Sequence, residues 1–354
     1  MNQDMFRPWP AELDAFLVSK PSNRRYFSGF TGSSGMLLVT NKDEKFLITD
    51  FRYMEQAKEQ APDFHIVQQE PEPAATLAQL AKEYGLKDIG LEKDHITLSI
   101  YEELSKKMPG LTLWPLYNPF EHRRKIKSPG ELQLIAQAVA IADAAFGQIK
   151  EIIKPGLREK EIAAELEFIM KRSGAEKHAF DTIVASGVRS SLPHGTPTDK
   201  VIQSGDFVTL DFGAVFEGYS SDITRTLIIG QPDARQREIY SIVKEAQERA
   251  IDNIRPGKKA ADIDKTARDI IADYGYGSFF GHGLGHSVGL EIHEEPRFAP
   301  RDNTILQPGM VVTVEPGIYL PGWGGVRIED MIVVGAKGCE ILTRAPKDIE
   351  DMII

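Results

Sequence analysis

The sequence predicts an α/β (α+β) chain of two domains, residues 1–122 and 123–354, the second made of two similar halves in pseudo-two-fold arrangement. Three observations carry that expectation. The chain has 354 residues, above the roughly 250–300 at which one core stops growing. An acid-bearing β-hairpin is written twice in the second part. A pair of helices around a Pro-Gly turn is also written twice, once ahead of each hairpin.

Composition narrows the partners. Apolar residues make up 42% of the chain, which suits a packed globular protein. The net charge is −10, from 42 basic and 52 acidic residues. With no long basic run, neither nucleic acid nor an anionic membrane is expected as a partner. The single cysteine, Cys339, cannot close an internal disulfide and fits a reducing compartment. Residues 1–12 have no apolar signal core and no bilayer-spanning stretch. A soluble cytoplasmic protein is the expectation.

The first domain reads as α/β. Strands are expected at 35–40 and 45–50, around the turn residues Asn41-Lys42-Asp43. A helix follows at 53–60, a short strand at 65–67, a helix at 74–84 and a buried strand at 89–92. The run Ser28-Gly29-Phe30-Thr31-Gly32-Ser33-Ser34-Gly35 resembles a phosphate loop superficially. It lacks the Lys-Ser/Thr ending and precedes a strand rather than a helix, so it reads as a turn. The basic run His122-Arg123-Arg124-Lys125-Ile126-Lys127 marks the boundary and reads as a solvated linker face.

Ser128-Pro129-Gly130-Glu131 opens the second domain. It offers Ser at the N-cap, Pro at N1 and Glu at N3, a capping box ahead of a helix running to about Lys154. Ile153-Lys154-Pro155-Gly156 is echoed by Ile254-Arg255-Pro256-Gly257. Each leads into a further helix, 159–172 and 260–273, closed by Gly174 and Gly275.

Each half then reaches its hairpin. In Val208-Thr209-Leu210-Asp211-Phe212-Gly213, apolar and other residues alternate, the period of a strand with unlike faces. The chain returns as Ser221-Asp222-Ile223-Thr224-Arg225. A two-residue turn at Glu217 and Gly218 pairs Phe216 with Tyr219 and sets Asp211 opposite Thr224. Asp211 and Asp222 become diagonal neighbours on one face. Crowded carboxylates repel, so that face wants a cation. The second copy starts at Gly309-Met310-Val311-Val312-Thr313-Val314-Glu315, turns through Pro321-Gly322-Trp323-Gly324-Gly325, and returns as Val326-Arg327-Ile328-Glu329. Asp211 is matched by Glu315 and Asp222 by Glu329. Four acids then meet in a crevice between the halves.

Between the hairpins lies Gly281-His282-Gly283-Leu284-Gly285-His286, continuing to His293, with three histidines in twelve residues. A fourth, His194, precedes the first hairpin. Four carboxylates with one imidazole form a hard, oxygen-rich set that suits Mn²⁺, Mg²⁺ or Fe²⁺ and tolerates Co²⁺ or Zn²⁺. Four acids exceed the charge one divalent ion needs. Two ions about 3.5–4 Å apart fit better, and such a pair activates water and polarises a carbonyl.

These motifs resemble those of the metallopeptidase family that holds aminopeptidase P, prolidase (Xaa-Pro dipeptidase), methionine aminopeptidase and creatinase, whose fold is named after pita bread. The resemblance covers the whole chain. The first domain, with Asn23-Arg24-Arg25-Tyr26-Phe27-Ser28-Gly29-Phe30, is similar to that of the aminopeptidase P, prolidase and creatinase branch. The resemblance implies that Asp211 binds one ion through both oxygens, that Asp222 and Glu329 bridge two ions, and that His286 and Glu315 bind the other. It implies substrate contacts for His194 and His293, the latter stabilising the tetrahedral intermediate, and a supporting role for His282. Arg327 matches the arginine of proline-specific members, and Arg297 one that prolidases use for a free carboxylate. Glu315 is expected to shuttle a proton to the leaving prolyl nitrogen. Mn²⁺, a small peptide substrate and a homodimer are the family expectations.

Competing readings are weaker. Asp211 and Asp222 could flank an exposed turn, His286 and His293 could pack, Arg327 could form a plain salt bridge, and Arg297 could be surface. A serine hydrolase through Ser190, Ser191 and His194 lacks the nucleophile-elbow pattern and leaves the acids unexplained. Xaa-Pro dipeptidase and aminopeptidase P remain rivals within the family reading. A non-catalytic peptide-binding relative is the alternative outside it; such relatives lose metal ligands, and this chain keeps the set.

Overall fold

The structure is a computed structural model that describes residues 10–117 and 119–354. The chain divides into two units between His122 and Arg123.

The first unit is a six-stranded mixed sheet. Met36–Thr40 and Lys45–Thr49 pair antiparallel around a turn in which Asp43 takes a φ of 67°. Ala15–Val18 pairs antiparallel with Met36–Thr40 and parallel with Asp88–Glu92. His65–Gln68 and Thr112–Leu116 form the edges. The glycine run is a turn. Gly29, at φ 73°, closes the helix Pro21–Ser28, and Arg24 donates to the carbonyls of Gly32 and Gly35 to fold the segment that leads into Met36.

In the second unit the helix Pro129–Ile152 starts with the expected capping box: Ser128 accepts from the Glu131 N–H and Glu131 from the Ser128 N–H. By length and composition it could cross a membrane. Here Ile135, Val139, Ala142, Phe146 and Ile149 point into the core, and Asp143 accepts backbone N–H groups of Arg344 and Ala345. The partner helices Glu159–Arg172, Ala234–Asn253 and Ala260–Asp273 pack on one side of the sheets. They meet Val208, Leu210, Phe212, Val312 and Val314 in one core that spans both halves.

The opposite faces of the strands carry the acids. Phe207–Phe212 lies between Ile183–Ser186 and Ile223–Ile228. Phe216 pairs with Tyr219 and Asp211 with Thr224, the register expected from a turn at Glu217 and Gly218. Those turn residues have φ of 43° and 80°, the left-handed pair a two-residue hairpin needs. In the second half, Val311–Val314 pairs with Asp330–Val334, and Gly317–Leu320 with Gly324–Arg327. Val314 faces Asp330 and Gly317 faces Arg327, so Glu315 stands opposite Glu329. This corrects the match of Asp222 with Glu329. On the ladders, Thr224 holds the place of Glu329, and Asp222 sits diagonally, two residues nearer its turn. The sequence match followed the acid type, whereas the pairing follows the backbone register. The two hairpins meet there: Glu329 N–H donates to Thr224 O (3.1 Å), and Thr224 Oγ1 to Glu329 Oε2 (2.7 Å).

The basic run at 122–127 is not a solvated linker face. Arg124 and Lys127 are only 2% and 4% exposed. Both reach carboxylates of the second unit, and that pairing is what makes their burial tolerable.

Candidate metal centre and active site

All ten residues singled out from the sequence line one cavity of about 640 Å³ in the second unit: His194, Asp211, Asp222, His282, His286, His293, Arg297, Glu315, Arg327 and Glu329. They come from both hairpins, the histidine segment and the loop ahead of the first hairpin.

Glycines allow the close packing at its floor. A Cβ on Gly285 would lie 2.1 Å from the Thr313 carbonyl oxygen. Only glycine lets the strand Gly285–Ser287 approach Val311–Val314 so closely. Leu284 O accepts from the Glu315 N–H at 2.8 Å, and His286 is thereby held beside Glu315.

The centre of the cluster is His286, 8% exposed. Its Nδ1 lies 3.1 Å from Ser287 O. A carbonyl only accepts, so Nδ1 carries the proton and Nε2 presents a lone pair. That lone pair faces Asp222 Oδ2 at 3.5 Å and Glu315 Oε1 at 3.4 Å. Burial, followed by the neighbouring His293, depresses the His286 pKa to about 3, so the ring is neutral at pH 7. The Nε2 lone pair thus faces two buried carboxylates at close range. Ligand atoms of Asp222, His286 and Glu329 all lie within 4.8 Å of one another.

The carboxylates are as strained electrostatically as this geometry implies. Burial raises the pKa of Asp222 well above its ordinary value, and Glu329, Asp211 and Glu315 push it the same way. Glu329 is raised by burial and then by Glu315 and Asp211. Burial lifts Glu315 to about 8 against the opposing pull of Arg327. Asp211 is also raised by burial, less strongly because Arg327 opposes it. Asp211 Oδ1 and Glu329 Oε1 are buried without a hydrogen-bond partner. Buried acceptors of this kind are rare unless something positive meets them. The donor set, two orphaned carboxylate oxygens and an imidazole lone pair aimed at carboxylates, fits divalent cations.

Arg327, 3% exposed, organises the cavity wall. It donates to Asp211 Oδ2 (2.6 Å), Thr224 Oγ1 (3.0 Å), Pro193 O (3.2 Å) and Tyr319 Oη (2.9 Å). Since Tyr319 accepts from Arg327, its own proton goes to His282 Nε2, 2.9 Å away, while His282 Nδ1 donates to Gly283 O at 2.8 Å. Burial lowers the His282 pKa to about 4, consistent with a neutral acceptor. The Pro193 contact ties the His194 loop to this chain of bonds. His293 stacks edge-on against His286 with ring centroids 4.4 Å apart, and burial, then Arg297, lowers its pKa. Arg297 is exposed at the rim, paired in register with His286. Tyr319 and Thr224 were not singled out from the sequence. The alternation Gly317-Ile318-Tyr319-Leu320 was the available signal: it puts Tyr319 on the face opposite the buried Ile318.

An open cavity floored by clustered carboxylates and a neutral imidazole, at the meeting point of two similar halves, defines a metal-dependent hydrolase. The chain belongs to metallopeptidase family M24, whose model matches residues 133–336, preceded by a creatinase/prolidase N-terminal domain at 10–126. Divalent metal ions and a peptide substrate come with that membership. The chain is 42% identical to an Xaa-Pro dipeptidase of Pyrococcus horikoshii, over 95% of this chain and 94% of the relative. It is similar to the solved Xaa-Pro dipeptidase from Bacillus anthracis, with a TM-score of 0.94 and 46% identity, covering 97% of this chain and 95% of that one. An X-Pro aminopeptidase structure from Thermotoga maritima matches with a TM-score of 0.90 and 42% identity, over 97% and 98% of the two chains. The pita-bread fold expected from the motifs is the fold of these neighbours.

Proposed function

We propose that this chain hydrolyses the Xaa-Pro bond of dipeptides, with Asp211, Asp222, His286, Glu315 and Glu329 holding two divalent ions, Mn²⁺ in the native enzyme. The observation that carries the reading is the convergence of three carboxylates, Asp222, Glu315 and Glu329, around His286, whose Nε2 is unprotonated, with the orphaned Asp211 Oδ1 lining the same cavity. Bound there, the ions supply a Lewis acid for the scissile carbonyl and a source of nucleophilic water near neutral pH.

The chain's own residues do the rest. The buried Arg327 fixes Asp211 and, through Tyr319, orients His282. His293 and His194 contact the substrate on either side of the scissile bond. His293, as a hydrogen-bond donor, meets the oxygen on which charge develops. Glu315 takes a proton from the attacking water and passes it to the leaving prolyl nitrogen, which bears none of its own in an Xaa-Pro bond, as the C–N bond breaks. Arg297 at the rim pairs with a free proline carboxylate, which favours dipeptides over longer chains. The rival, aminopeptidase P activity on longer Xaa-Pro peptides, draws support from the named Thermotoga maritima relative. A homodimer in the cytoplasm belongs to the same reading; light scattering tests the dimer.

Xaa-Pro dipeptides and Xaa-Pro-Yaa tripeptides assayed with Mn²⁺, before and after chelation, form the test. The reading expects dipeptide hydrolysis that chelation abolishes and Mn²⁺ restores. Preference for tripeptides would favour aminopeptidase P, and activity that survives chelation would overturn the metal reading.

A further inference from the structure

Behind the histidine segment lies a second charged cluster that takes no direct part in the site. Glu294, 3% exposed, is its hub. Glu294 Oε2 accepts from Lys127 Nζ at 3.1 Å, and Oε1 pairs with Arg124 at 2.9 Å. Oε1 also accepts the Glu291 N–H at 3.2 Å. Arg124 reaches Glu291 Oε2 as well, at 2.5 Å. A Cβ on Gly289 would lie 2.7 Å from the Glu294 carboxylate, so the segment from Ser287 to Glu294 wraps around this one group. Among the contacts of the described residues, two cations face two anions, the pairing that burial demands.

The cluster sits on a β-bulge. His286 pairs with Arg297 but Ser287 pairs with Glu294, so the register shifts between His286 and Ser287. A bulge re-aims the side chain beside it and needs something to hold its irregular strands. Lys127 Nζ does that: it donates to Ser287 Oγ at 2.9 Å and to Glu294 Oε2, the two residues that close the bulge. Lys127 is itself anchored, its N–H donating to Gly309 O at 2.9 Å, at the start of the hairpin that carries Glu315. Ser287 O in turn receives His286 Nδ1, and His293 adjoins Glu294 in sequence.

We propose that Lys127 and Arg124 are positioning residues that, through Glu294 and Ser287, aim His286 and His293 into the cavity. The stretch that opens the second unit thus sets the geometry of the site. The proposal rests on the reading of those two histidines as active-site groups.

The test is Lys127→Met in the full chain, with imidazole ¹⁵N spectra of the metal-free protein and steady-state kinetics on an Xaa-Pro dipeptide with Mn²⁺. The His286 and His293 ring resonances should shift and broaden while exposed His178 stays put. Turnover kcat should fall roughly tenfold or more, with KM changed less than about threefold. If Lys127→Met does not fold, Lys127→Gln keeps a donor and similar length, and a smaller loss in the same direction is expected. Wild-type resonances for both rings, or wild-type kcat despite shifted rings, would overturn the proposal. A wild-type chain inactive on every Xaa-Pro peptide would instead defeat the functional reading, and the spectra would still decide whether Lys127 positions the rings.

Discussion

Asp222→Asn should make the metal-free protein more stable while removing its activity. The Asp222 carboxylate lies 3.5 Å from an unprotonated nitrogen, and its ligand atom is within 4.8 Å of that of Glu329. Like charges about 5 Å apart repel by about 3 kcal/mol at an effective dielectric constant near 20. Retained protons relieve part of this, as the raised pKa values show, leaving about 2 kcal/mol for asparagine to recover at pH 8. That corresponds to a rise of about 4–8 °C in the melting temperature of the catalytic unit. With saturating Mn²⁺ the order should reverse. The wild type gains about 4 kcal/mol at a thousandfold excess over Kd, whereas the variant, short of one ligand, gains much less. Calorimetry at pH 8, in chelator and in Mn²⁺, reads both effects, and dipeptide hydrolysis reads the third. A metal-free variant melting below wild type, or equal stabilisation of both by Mn²⁺, would refute the electrostatic argument.

Other expectations follow from the same geometry. Glu315, raised to about 8 in the fold, binds a proton more tightly folded than unfolded, so its contribution is full at low pH and is lost as pH rises towards 8. His286 and His282, lowered to about 3 and 4, act the opposite way, and their contribution is already complete above about pH 6.5. Metal-free protein should therefore lose about 2 kcal/mol between pH 6.5 and 8, read by urea unfolding, and bound Mn²⁺ should flatten that slope. Tyr319→Phe breaks the bridge from Arg327 to His282. It should lower kcat/KM about tenfold at a stability loss near 1 kcal/mol; unchanged kinetics would remove His282 from the site. Gly285→Ala forces a methyl group to 2.1 Å from Thr313 O. Calorimetric titration should find Mn²⁺ affinity weakened by roughly tenfold or more as His286 moves away from Glu315.

The acid-bearing hairpins were legible because their signals are local. Alternation marks the strands, and Glu217-Gly218 sets the register that fixes where Asp211 lies. The capping box at Ser128 and the glycines after 159–172 and 260–273 mark helix ends in the same local way. The central strand Ala15–Val18 of the first unit was not legible. All four residues are buried, so it lacks the two-sided pattern that identifies a strand, and four apolar residues fit a helix as well. The edge strand Thr112–Leu116 is mostly exposed and contains Pro115, which argues against a strand locally. Arg124 and Lys127 misled for a different reason. A basic run reads as solvated because its partners, Glu291 and Glu294, lie more than 160 residues away. The alternation along Gly317–Leu320 puts Tyr319 on the face opposite Ile318, but the partner of its hydroxyl, Arg327, follows only from the ladder with Gly324–Arg327.

The central claim, that Asp211, Asp222, His286, Glu315 and Glu329 together hold a pair of cations, is met most directly by a crystal grown in Mn²⁺ and measured at the manganese absorption edge. The account predicts two anomalous peaks in the cavity, each within bonding distance of those side chains, with Asp222 and Glu329 touching both. One peak, none, or peaks held by other residues would contradict it.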